Sequence, residues 1–114
     1  MHNDYQFEKW IWIGHHQHHI CANNCDFNLA TLLPNGFIIS TIGELFDINS
    51  NTFLEIGHGR LYETMVFKTN GEFRKCGCPK VSEYIELDFS AYNHPKDAQD
   101  GHMLMCKKWV LKNQ

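Results

Sequence analysis

The chain has 114 residues, 43% of them hydrophobic and 20% charged, which suits one globular domain over residues 1–114 and argues against intrinsic disorder for the body of the chain. Ten Lys and Arg against thirteen Asp and Glu leave a net charge of −3, which gives no general attraction to nucleic-acid phosphates. No apolar run is long enough to span a membrane, and the opening MHNDYQFEKW lacks the charged and apolar regions of a signal peptide.

The expectation is therefore a protein of a reducing cytosol. Disulfides are rare there, so five cysteines favour metal ligation. Residues 7–13 hold aromatic and β-branched side chains and read as a strand. A ligand-rich stretch follows, with His15, His16, His18, His19, Cys21 and Cys25. In a strand His16 and His18 share one face; in a helical turn His15/His19 and Cys21/Cys25 pair instead. Either geometry offers ligands for an ion, and the alternative is a polar, His-rich loop.

Residues 27–33 and 37–41 are two apolar runs separated by Pro34-Asn35-Gly36. Asn-Gly tolerates the positive φ angles of a tight turn, so the pair reads as a hairpin. Gly43 and residues 47–52 are loop-like, and Gly57-His58-Gly59-Arg60 reads as a plain flexible loop, a lone Gly-x-Gly being a weak sign of an anion cradle. Residues 61–68 form another strand, ended by Asn70-Gly71, with a short partner at 72–75 and one more strand within 81–89. On the strand 61–68, Glu63 shares a face with Leu61, Met65 and Phe67. A carboxylate there must find a partner, Arg60 or Arg74 for instance, or else hold its proton more tightly and become a candidate general base; the alternative is that the apolar face is the other one, with Tyr62, Thr64 and Val66.

His94-Pro95 opens the one clear helix, since proline suits a first helical turn. Ala98, His102, Met105, Cys106, Trp109 and Val110 fall on one stripe at helical period. Gly101 inside it costs about 1 kcal/mol against alanine, which implies a close approach by another group. The expected fold class is α+β: a mostly antiparallel sheet with β-hairpins, packed against one C-terminal helix.

Cys76-Gly77-Cys78-Pro79 and His102-x-x-x-Cys106 together supply three sulfurs and one imidazole. Residues i and i+4 of a helix point the same way, so Cys76, Cys78, His102 and Cys106 form a candidate closed zinc site. The alternative is a core thiol, a satisfied histidine and a plain loop. A catalytic metal would instead use His15, His16, His18 or His19 with Glu63 as base, giving a metal-dependent hydrolase. A third possibility is a sponge for a small nucleotide signal, bound by Arg60, Arg74, Trp10 and Trp12 through charge and stacking. No phosphate loop, dinucleotide fingerprint or nucleophile elbow is present.

Several segments in order, Ser40-Thr41-Ile42-Gly43-Glu44, Tyr62-Glu63-Thr64-Met65-Val66-Phe67, Cys76-Gly77-Cys78-Pro79 and Gly101-His102-x-x-x-Cys106-x-x-Trp109, resemble a family of small proteins of tailed bacteriophages and prophages. The resemblance runs from about Trp12 to Trp109. It implies a phage accessory protein of the host bacterial cytoplasm that binds a host protein or a small ligand, with an anti-defence role, and it implies no catalytic residue. The expectation is thus a non-enzymatic binding protein with structural zinc; its oligomeric state stays open.

Overall fold

The computed structural model describes residues 4–13, 25–83 and 85–113. A 3-10 turn (Phe7–Lys9) leads into β1 (Ile11–Trp12), followed by β2 (Cys25–Leu32), β3 (Phe37–Asp47), β4 (Thr52–Leu54), β5 (Tyr62–Phe73), β6 (Pro79–Val81), β7 (Asp88–Tyr92) and α1 (Pro95–Val110). The strands pair antiparallel throughout, as the α+β expectation requires. The sheet runs β1-β2-β3-β5, and β5 then carries two neighbours, β7 along its first half and β6 along its second.

β3 and β5 form the centre because both are rich in β-branched residues with two buried faces. One face, with Leu33, Phe37, Ile39 and Val66, packs on Met105, Cys106 and Val110 of α1. The other gathers Cys25, Ile38, Ile42, Met65 and Phe67 under Leu45, Ile56 and Val81.

The two long hairpins share one loop geometry. The Leu33 N–H donates to the Phe37 carbonyl at 2.8 Å and the Gly36 N–H to Leu33 at 3.0 Å; the Arg74 N–H donates to Cys78 at 2.8 Å and the Gly77 N–H to Arg74 at 2.9 Å. Gly36 and Gly77 take the left-handed position, at φ 93° and 95°. The expected hairpin at Pro34-Asn35-Gly36 is therefore present, but only the glycine uses positive φ. Asn35 instead turns its amide to the end of α1, donating to the carbonyls of Trp109 (2.8 Å), Val110 (3.2 Å) and Lys112 (2.9 Å), and so caps the last turn and the residues after it.

Other boundaries differ from the sequence reading. Residues 7–13 are mostly not strand. Gly43 lies inside β3, and β5 passes through Asn70-Gly71 with a change of register instead of ending there. Residues 72–75 finish β5 and enter its loop, so the partner strand is β6, and the next strand begins only at Asp88. The helix matches its reading: Ala98, His102, Met105, Cys106 and Val110 are buried. A Cβ on Gly101 would stand 2.1 Å from the Tyr92 hydroxyl oxygen, which explains the glycine. Asp88 ties helix to strand, accepting from Lys108 Nζ at 2.7 Å and Trp109 Nε1 at 2.8 Å. Among the described residues no helix is long and apolar enough to cross a membrane.

Candidate functional site

The segment before β5 is a tight turn, where the sequence suggested a flexible loop. The Arg60 N–H donates to Gly57 and the Ile56 N–H to Arg60, both at 2.9 Å. The two central residues have positive φ, 53° at His58 and 71° at Gly59, which is the mirror-image turn favoured by twisted strands. Asn or Gly would meet that demand at least cost. His58 meets it less well, and what it gains is placement: its ring stacks on Phe89 at 4.2 Å and 10° between planes.

Glu63 lies beneath this turn. It is only 9% exposed and shares its face with Met65 and Phe67, as the strand pattern implied. Gly57 makes room for it: a Cβ there would fall 1.6 Å from Glu63 Oε2. Neither Arg60 nor Arg74 pairs with it among the described residues. Burial raises its pKa above the usual carboxylate range, the charge of Glu86 adds to this, and His58 opposes it. A proton held more tightly in the folded state stabilises the fold at low pH, and that contribution is lost as pH rises through the folded pKa. Glu63→Gln, the neutral isostere, should therefore melt at a higher temperature than wild type at about pH 8, with the gain vanishing near pH 4. A Tm lowered at both pH values would mean that the carboxylate has a partner that the amide cannot replace.

From this site an apolar row runs along the chain. Ile85, Leu87 and Phe89 are 60%, 45% and 43% exposed. Ile85 and Leu87 border a groove of about 340 Å³ with Lys68, Ser82 and Glu83. On the helix side of β7, Ser90, Tyr92, Gly101, Leu104 and Lys108 line another of about 330 Å³. β7 pairs with β5 on one side and has no strand on the other among the described residues. An apolar edge strand of this kind offers both unpaired backbone groups and side-chain contact area.

The four residues of the expected zinc site do not come together. Cys76 and Cys78 sit at the tip of the β5–β6 hairpin. His102 and Cys106 lie under the middle of the sheet, beside Thr31, Thr41 and, through them, Thr64. Thr64 and Phe73 are nine residue steps apart along β5, about 30 Å of strand. Both ring nitrogens of His102 are already engaged, Nε2 with Thr31 Oγ1 at 2.9 Å and Nδ1 with Thr41 Oγ1 at 2.7 Å, and Thr41 bonds Thr64 at 2.6 Å. Burial pulls the His102 pKa down to about 4 and, for Cys106, pushes the thiol up to about 12. Among the described residues no three of His, Cys, Asp or Glu form a metal-holding group.

His15, His16, His18, His19 and Cys21 lie outside the described residues, and Cys25 is buried in the second core layer. The four residues weighed for a nucleotide do not converge. Arg60 and Arg74 flank opposite ends of β5, Trp10 is buried with its Nε1 donating to the Tyr5 carbonyl at 2.8 Å, and Trp12 lies with its ring 5.8 Å from that of His102. The sequence reading missed His58, whose charge acts on Glu63 and whose ring stacks on Phe89; the Gly-x-Gly around His58 was the one available sign of a backbone making room. No protein-family model, curated protein or solved structure matches the chain.

Proposed function

We propose that the chain is a non-enzymatic binding protein that takes an extended segment of another protein along β7. The observation that carries this reading is the exposed row Ile85, Leu87 and Phe89 leading into a strand with a strand partner on one side only among the described residues. An added strand draws affinity from main-chain hydrogen bonds and specificity from alternate side chains. Glu63, Glu83 and Glu86 lie near the row, so the fitting segment carries apolar residues at alternate positions and a basic residue beside them. The phage resemblance makes a host bacterial protein the expected partner, met in the host cytoplasm, with interference in a host defence as the outcome.

The test is selection from a random peptide library on the immobilised protein, followed by titration of the selected peptides. Sequences alternating apolar residues with a Lys or Arg should emerge, and Leu87→Ser should weaken them at least tenfold. Peptides that bind Leu87→Ser and Phe89→Ser as well as wild type would remove β7 as the binding surface.

A further inference from the structure

The hairpin tip at residues 74–78 carries a second site, independent of β7. Its loop places Cys76 at the last position before the left-handed Gly77, and Cys78 immediately before the returning strand β6. Gly77 turns the chain so that the two side chains meet: the thiols of Cys76 and Cys78 are hydrogen-bonded to each other. Cys76 is exposed and Cys78 is buried. Arg74 and Lys75 put two positive charges at the same tip. Nothing fills the space above Gly77: a Cβ there would meet no atom within 4 Å. The other two described cysteines, Cys25 and Cys106, are buried, so Cys76 is the one described thiol open to a reagent.

We propose that Cys76 and Cys78 form a redox-active dithiol that closes to a disulfide within the loop by exchange with a small-molecule disulfide. The Cys76 thiolate attacks one sulfur of the reagent, forming a mixed disulfide and releasing one thiolate. The Cys78 thiol loses its proton to solvent and its sulfur attacks Cys76, which expels the second thiolate. Two protein thiols are oxidised and one reagent disulfide is reduced to two thiols. The order of attack follows from exposure: among the described thiols only Cys76 can meet the reagent, and the cations beside it favour an anionic partner such as glutathione disulfide. Burial pushes Cys78 up to about 11, and its hydrogen bond to Cys76 and the charge of Cys76 add to this. Both of those contributions end once Cys76 is capped, which leaves Cys78 readier for the second step than for the first. A disulfide made and broken in this way belongs to a reducing compartment, where the stable kind does not form.

The experiment treats the full chain, first freed of metal with a chelator, with glutathione disulfide, blocks remaining thiols and digests with trypsin. Cleavage after Lys75 and Lys80 isolates both cysteines in one five-residue peptide. In wild type that peptide should appear with the mass of two hydrogens lost. In Cys78→Ser it should carry glutathione on Cys76, because the resolving thiol is gone. In Cys76→Ser it should stay unmodified, because Cys78 is out of reach. A wild-type peptide that stays reduced, that keeps glutathione on Cys76, or that is joined to Cys21 would overturn the proposal. The wild-type result decides by itself if either variant fails to fold.

Discussion

Replacing His102 with alanine should cost about 4 kcal/mol of stability, the largest effect of any single substitution predicted for this chain. The imidazole is fully buried, so its loss opens a cavity between α1 and the sheet. It also takes one hydrogen-bond partner from each of two buried hydroxyls, since Thr31 and Thr41 both bond to its ring. The same residue sets a pH dependence. In the unfolded chain a histidine takes up a proton near pH 6.5, whereas in the fold burial holds His102 at about 4. Between those values the unfolded state binds more protons, so stability must fall as pH drops from about 6.5 to about 4. The full loss is about 3 kcal/mol. Urea unfolding at several pH values from 7 to 5 measures both effects. His102→Gln keeps a donor and an acceptor in the site but does not titrate, so it should flatten the slope. A wild-type slope that survives in His102→Gln would assign the titration to another group.

The second large effect is expected at Gly43. It faces Tyr62 directly across β3 and β5, and a Cβ on it would stand 2.1 Å from Tyr62 Cδ2 and 2.8 Å from two further ring atoms. The tyrosine ring therefore lies flat on the glycine, a contact in which an aromatic side chain covers the backbone that glycine leaves bare. The ring cannot swing aside cheaply. It is buried, packs edge-on against Phe27 at 5.1 Å, and donates its hydroxyl to Glu44 Oε2 at 2.7 Å. Gly43→Ala should cost about 2 kcal/mol through overpacking. In a Tyr62→Leu background most of that cost should disappear, giving a coupling of more than about 1 kcal/mol between the two sites. An undiminished cost in that background would place the clash elsewhere in the backbone.

How much of this could be read beforehand depends on the range of the interaction. The helix was legible almost residue by residue, because the stripe from Ala98 to Val110 and the opening Pro95 are both local. The Pro34-Asn35-Gly36 hairpin was legible for the same reason. The stretch Asn70-Gly71 misled, since a turn dipeptide in a long strand can be absorbed as an irregularity in pairing. The pairing of His102 with Cys106 on one buried face was also readable, but their partners were not. Thr31, Thr41 and Thr64 reach the histidine only because β2, β3 and β5 lie side by side in one register, which no local pattern encodes. The same holds for Glu63. Its unease on an apolar face was visible, whereas His58 and Phe89 come from a turn and a strand that only the fold brings near.

The threonines around His102 bear on how the protein is made. The sheet precedes the helix in the chain, so during synthesis its helix-facing side meets water before α1 exists to cover it. Had that side been apolar throughout, the nascent sheet would offer a broad adhesive surface to its neighbours. Three hydroxyls in its middle can be hydrated while they wait, and they exchange water for an imidazole only when α1 arrives. The histidine thus acts as a late keystone: until it docks, the sheet stays wettable, and once it docks the water is expelled.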